Sequence, residues 1–107
     1  DRCLSLHEGD TILTLKHLSP TRLIKNEFYS EIEKIEQQGG SIEELKALLG
    51  KGRAKRGIFE GDLKEGELEI GQIASLFHHI QPVKEVMKEL IDDYNSALRH
   101  MQDQLCW

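Results

Sequence analysis

The sequence has 107 residues, of which 38% are hydrophobic and 31% are charged, a balance typical of one globular domain. Its net charge of -5 argues against general binding to nucleic acid or to an anionic membrane. No apolar run reaches the ~20 residues that cross a bilayer, and the N-terminus lacks the pattern of a signal peptide, so we expect a cytoplasmic protein.

The first third of the chain predicts one short strand followed by a helix. Residues 9–18 begin with a turn signal and continue as a β-branched apolar run, which predicts the strand. In residues 19–38, Ser19 is a candidate N-cap, Pro20 fits the first helical position, and apolar residues recur at helical spacing until the pair Gly39-Gly40. We therefore expect a helix over this whole segment.

Three further helices are predicted downstream. Residues 41–50 carry a capping-box pattern, Ser41 with Glu44, and end at a glycine. Residues 72–80 show an apolar stripe at spacings of three, four and seven residues. Apolar residues then keep a helical period from Val83 almost to the C-terminus, which predicts the longest helix of the chain.

Residue types that often form catalytic or metal sites are present but poorly arranged. The two cysteines, Cys3 and Cys106, are isolated and predict free thiols. The adjacent pair His78 and His79 cannot both face one ion on a helix, so we expect no metal site. The cluster GKGRAKRG (50–57) could hold a phosphate, although a solvated basic face is the simpler interpretation because no Walker A pattern is present.

The stretch GIFEGDLKEGELEIGQ (57–72) contains four glycines and several carboxylates immediately before a predicted helix. Glycine is required where φ must be positive or where something approaches the backbone closely. Gly71 and Gln72 precede the helix start, a place suited to an anion or a polar ligand. The alternative is a tight connection that packs on a neighbouring element, with Glu69 a solvated carboxylate and Gln72 bonded to the backbone.

The chain contains three motifs in this order: PTRLIKN, GRAKRGIFEGD and GELEIGQIA. Together they resemble the C-terminal part of FMN-dependent nitronate monooxygenases, also called 2-nitropropane dioxygenases. The same segments are similar to their relatives, the FMN-containing enoyl-acyl-carrier-protein reductases. The resemblance runs from about Gly9 to Asp92. None of the three motifs is a catalytic signature by itself.

The resemblance implies a fold class for this chain that is mainly α with a short strand, as the C-terminal part of a parent (β/α)8 TIM-barrel flavoenzyme. Residues 1–66 would then be an accessory segment that follows the last barrel strands, and residues 67–107 would supply C-terminal helices that pack on the barrel, within a single unit. FMN and the catalytic residues would belong to the barrel upstream of residue 1. The barrel of the same enzyme, a small-molecule substrate and a second subunit would be the partners.

The glycine-rich stretch would run along the active-site side of that barrel, which makes Glu69, Gly71 and Gln72 candidates for contact with cofactor or substrate. The first functional hypothesis is an enzyme that oxidises alkyl nitronates with O2 to carbonyl compounds and nitrite. Its alternative within the family is enoyl reduction with a nicotinamide donor. A hypothesis of another class is a non-enzymatic helical module that binds a protein through the apolar face of residues 83–105.

Overall fold

A computed structural model describes residues 2–106 as a small α+β body from which one long helix extends. The elements in chain order are a 3-10 helix (Arg2–Ser5), β1 (Thr11–Thr14), β2 (Thr21–Ile24), α1 (Glu27–Gln37), α2 (Ile42–Leu49), α3 (Arg53–Ile58), a second 3-10 helix (Gln72–Leu76) and α4 (Val83–Leu105). The fold is mainly helical, as the sequence predicts, and it contains a two-stranded antiparallel sheet where the sequence predicted one strand.

The prediction of one helix over residues 19–38 is wrong in its first half. Residues 21–24 form β2, which pairs with β1 in the register Ile12 with Leu23, and α1 begins only at Glu27. The side chain of Asn26, rather than Ser19, caps the helix by accepting from the N–H of Tyr29 at 2.9 Å. The short run TRLI contains two β-branched residues and forms a hairpin that buries Leu23, so tertiary pairing overrides the helical spacing.

The main core lies between the hairpin and the next two helices. Its buried side chains come from β2, the residue after β1, α1 and α2: Leu15, Leu23, Phe28, Ile32 and Leu45. The predicted capping box is present, because Ser41 Oγ accepts from the N–H of Glu44 and Glu44 Oε2 accepts from the N–H of Ser41. This cap fixes the start of α2 and stabilises it by about 1 kcal/mol.

Two other helical segments differ from the sequence prediction. Arg53–Ile58, interpreted from the sequence as a basic cluster, forms the short helix α3. The helix predicted over residues 72–80 is a 3-10 helix of five residues, Gln72–Leu76. It lies beside the first 3-10 helix, where Leu6, Ile24 and Leu68 form a second, smaller core with Ile70 and Ala74 against it.

The final helix, α4, is confirmed as the longest element, with 23 residues and a length of about 35 Å. None of its residues is buried, and eight of its apolar side chains are 42–77% exposed, while Val86 is partly buried. The radius of gyration is 18.3 Å, whereas a compact chain of this length would have about 13 Å. The apolar face of α4 is therefore without cover in the described chain. No helix of residues 2–106 is long and apolar enough to span a bilayer.

Candidate functional site

The segment that carries the candidate residues extends along the open edge of β2. Glu69 pairs with Leu23 in an antiparallel bridge. The N–H of Ile24 donates to the carbonyl of Leu68, and the N–H of Ile70 donates to the carbonyl of Arg22, both at 3.0 Å. Residues 67–70 thus act as a third, irregular strand, which fixes the position of every residue up to the second 3-10 helix.

Arg22 separates two shallow depressions that contain the predicted site residues. Glu69 and Gly71 line one of about 640 Å³, and Gln72 lines a neighbouring one of about 350 Å³. Arg22 lines both, and its Nη1 donates to Thr11 Oγ1 at 3.2 Å. The structure therefore brings Glu69 and Gly71 to one depression and places Gln72 in the neighbouring one, with Arg22 common to both.

An arginine that lines both depressions can hold a polar or anionic group, but these depressions supply neither a nucleophile nor a base at a defined distance. Arg22 was missed as a site residue because the sequence placed it within a predicted helix. The β-branched composition of TRLI was the signal that could have found the strand, and with it the position of Arg22 beside residues 67–70. The Arg22 depressions are the candidate site.

The glycine-rich stretch has a structural explanation at two of its positions. The backbones of Gly57, on α3, and Gly66 lie against each other, so a Cβ on Gly66 would lie 2.6 Å from the nitrogen of Gly57 and would also overlap its Cα. A Cβ on Gly57 would lie 2.7 Å from the carbonyl oxygen of Glu67. These two glycines permit the close approach of α3 to residues 66–67, as the alternative interpretation of this stretch predicted.

Two of the four cations in the basic cluster, Arg53 and Arg56, make contacts within the body. Arg53 is mostly buried, with its guanidinium 4.4 Å above the ring centre of Phe28. Its Nε donates to the carbonyl of Leu48 at 2.9 Å, and its Nη1 donates to the carbonyl of Glu65 at 2.8 Å and to the Glu65 carboxylate at 3.2 Å. Arg53 therefore ties the end of α2 to the loop before residue 67.

Arg56 is likewise paired, since its Nη2 donates to the carboxylate of Asp62 at 2.6 Å. The pKa of Asp62 lies below its usual value, chiefly because the N–H of Glu65 bonds to its carboxylate and also because of Arg56. These arginines do not form a phosphate cradle, and the residues described here do not fit an FMN phosphate. Within residues 2–106, no group of histidine, cysteine and carboxylate side chains could hold a metal ion.

Glu67 is a buried carboxyl group close to the candidate site. Burial raises its pKa above the usual value, and the neighbouring charge of Glu69 raises it further, while Arg53 opposes both effects. The backbone of Glu67 is fixed by its N–H, which donates to the carbonyl of Arg53 at 3.0 Å. The packing that positions residues 67–70 therefore also disfavours the ionised form of the Glu67 carboxyl group.

The free thiols are confirmed, because Cys3 and Cys106 are both unpaired and exposed. Neither cysteine lines the Arg22 depressions. Thiol chemistry therefore has no part in the candidate site.

Comparison with known proteins shows a fold relationship only. No protein-family model matches the sequence, and no curated protein matches it. The structure of FabK from Thermotoga maritima matches 97% of this chain with a TM-score of 0.79 and 23% identity. A point mutant of the same FabK matches 97% of it with a TM-score of 0.71 and 24% identity. The chain spans 33% and 30% of those two chains, so its fold is that of a fragment of this larger TIM-barrel protein.

We predict that Gly66→Ala destabilises the protein by about 1–3 kcal/mol, because the new Cβ must displace the backbone of Gly57. The matched control is Gly71→Ala. Gly71 has a φ of -76° and nothing within 4 Å of its Cβ direction, so this change should alter stability by less than about 0.5 kcal/mol. Urea unfolding followed by circular dichroism measures both. Equal losses for the two variants would contradict the close approach.

We predict that Glu67→Gln raises the melting temperature at about pH 7 and has little effect below about pH 4. The pKa of Glu67 is higher in the folded chain than in the unfolded chain, so the unfolded chain loses this proton first as the pH rises. The wild type therefore loses stability between the unfolded and the folded pKa of Glu67. Glutamine does not ionise and avoids that loss. The control is Glu31→Gln at an exposed position on α1, and a pH-independent effect of Glu67→Gln would contradict the prediction.

Proposed function

We propose that this chain is the C-terminal portion of an FMN-dependent oxidoreductase from the family that contains nitronate monooxygenases and enoyl-acyl-carrier-protein reductases. The observation that supports this most strongly is the match of nearly the whole chain to about one third of FabK. FabK is an FMN-dependent enoyl-acyl-carrier-protein reductase. The three sequence motifs named above support the same family independently of the fold.

The exposed apolar face of α4 supports the view that a larger part of the enzyme covers it. Eight apolar side chains lie along this helix without burial: Val83, Met87, Leu90, Ile91, Tyr94, Leu98, Met101 and Leu105. Apolar surfaces of this extent are typical of interfaces. In the proposed enzyme, the C-terminal helices of residues 67–107 pack on the barrel, and residues 1–66 form an accessory segment.

FMN, when bound, supplies the electron transfer in this family. Its phosphate site is proposed to lie in the barrel, because Arg53 and Arg56 are engaged within the body of this chain. This chain can contribute polar side chains to one side of the substrate site. Arg22, Glu69 and Gln72 would bind or orient a polar substrate group from the accessory side, and Gly71 would leave room for its approach.

Two reactions fit this proposal. Oxidation of alkyl nitronates with O2 to carbonyl compounds and nitrite is the reaction that the sequence resemblance suggests first. Reduction of an enoyl thioester with a nicotinamide donor is favoured by the identity of the structural neighbours. A non-enzymatic module that binds a partner protein through α4 is the alternative from another class, and the same exposed face supports it.

The test is to express the complete gene product and to measure three quantities: bound FMN, nitrite released from alkyl nitronates, and nicotinamide consumed with an enoyl thioester. We expect about one FMN per chain and one of the two activities. Nitrite release would select the monooxygenase, and enoyl-dependent nicotinamide oxidation would select the reductase. A complete product without flavin and without either activity would contradict the enzyme proposal and favour the binding module.

In the same complete enzyme, Gln72→Ala should lower kcat/KM by about tenfold while the melting temperature stays within about 2 °C, because the side chain is exposed in this chain and would contact a ligand. Gln38→Ala is the matched control. Gln38 is exposed and lies outside both Arg22 depressions, so the Gln38→Ala enzyme should keep the kcat/KM of the wild type. Lowered stability with unchanged kcat/KM for Gln72→Ala would assign this residue to the fold.

A further inference from the structure

Arg22 is a partly buried cation that has no ionic partner within residues 2–106. Arg53 and Arg56, by contrast, are paired with carboxylates of the body. The one side-chain hydrogen bond of Arg22 in the described chain joins its Nη1 to the hydroxyl of Thr11 at 3.2 Å. Most of the N–H donors of its guanidinium therefore remain for another acceptor. Because an unpaired charge is costly to bury, a bound anion would stabilise this side chain.

The smaller of the two depressions that Arg22 lines is rich in uncharged donors. Its lining includes the hydroxyls of Thr11 and Ser75 and the amide of Gln72. The side chains of Gln72 and Ser75 make no hydrogen bond to the rest of the described residues, and the Thr11 hydroxyl, which accepts from Arg22, keeps its own proton for an acceptor. Arg22 and these three side chains thus bring four donor groups to one depression of about 350 Å³.

The larger depression has fewer free donors. Each depression has one carboxylate in its lining, Glu8 in the smaller and Glu69 in the larger. In the larger one, the hydroxyl of Thr21 already donates to the carbonyl of Ser19 at 2.8 Å. Glu8 is exposed, so water reduces the repulsion between its charge and an anion bound in the smaller depression. The smaller depression is therefore the better place for an anion.

We propose that the smaller depression binds the phosphate group of a phosphate ester, with the four donor side chains named above bonded to the phosphate oxygens. The donors come from β1, β2 and the second 3-10 helix, so they approach from different directions. A phosphate has three oxygens arranged in space to accept from them, whereas a carboxylate has two oxygens in one plane. This inference rests on the proposed function in one respect, since the ester would be a substrate or cosubstrate of the oxidoreductase.

The apolar side of the depression indicates where the organic part of the ester lies. Ile73 and Leu76 also line the depression and are 60% and 71% exposed. They belong to the 3-10 helix that precedes α4, the helix that we assign to the contact with the barrel. The ligand would therefore lie between the body of this chain and the barrel. A nucleotide and a pantetheine thioester both carry such a phosphate, and the test separates these two sources.

The test titrates the isotope-labelled 107-residue chain with adenosine monophosphate and with phosphopantetheine, and follows the backbone amide signals by NMR. We expect saturable shifts that are largest at Thr11, Arg22 and residues 72–76, and the ester that binds more tightly identifies the source. Adenosine or pantetheine, which lack the phosphate, should bind at least about tenfold more weakly. Inorganic phosphate should compete with the ester, and acetate should not. No saturable binding, equal binding without the phosphate, or equal competition by acetate would overturn the proposal.

Arg22→Gln and Arg99→Gln form a matched pair on the protein side. Both remove one positive charge, but only Arg22 lines the depression, and Arg99 is exposed on α4. We expect Arg22→Gln to weaken binding of the ester by about tenfold and Arg99→Gln to leave it unchanged. Circular dichroism melts of both variants establish that they are folded. Equal affinities for the two folded variants would overturn the proposal.

Two further variants test the same depression with little risk to the fold. Ser75→Ala removes a hydroxyl that has no partner in the described chain and should weaken binding by about threefold. Glu8→Gln removes the negative charge of the lining and should strengthen binding. Unchanged affinity in both variants would overturn the proposal. Because this binding is measured without flavin, its failure is distinguishable from a failure of the complete gene product to bind FMN. In the complete product loaded with FMN, the ester should still bind, and its displacement by FMN would also overturn the proposal.

Discussion

The guanidinium of Arg53 is the contact on which the arrangement of the body depends. It lies over the ring of Phe28 in the main core, donates to the end of α2 and donates twice to Glu65. One side chain thus connects the core, a helix terminus and the loop that leads to residue 67. A lysine could not make these bonds together, because it lacks the planar fork of arginine.

The candidate site follows from this fixed loop. Asn26 Nδ2 donates to the carbonyls of Leu63 and Gly66, and the N–H of Phe28 donates to the carbonyl of Lys64, so the loop is also fastened to the start of α1. Residues 67–70 can then pair with β2 in one register, which places Glu69 opposite Leu23 and Ile70 against the backbone of Arg22. The Arg22 depressions are therefore positioned by the packing of residues 67–70 against β2.

The sequence predicted those elements whose local signals agree with their tertiary contacts. The capping box and the terminal glycine of α2 both lie within residues 41–50. The apolar residues of α4 keep a helical period over more than twenty residues. The start of α1 could not be placed from Ser19 and Pro20, because hairpin pairing of β2 competes with the helix and depends on the residues of β1. The role of Arg53 was also hidden, since its partners Glu65 and Phe28 are distant in sequence.

We propose that the apolar face of α4 is an interior surface of a longer enzyme. Hydrogen exchange measured on α4 in the 107-residue chain and in the complete gene product tests it most directly, with α1 as the internal reference. We expect strong additional protection of α4 in the complete product and similar protection of α1 in both samples. Equal exchange of α4 in the two samples would contradict the claim.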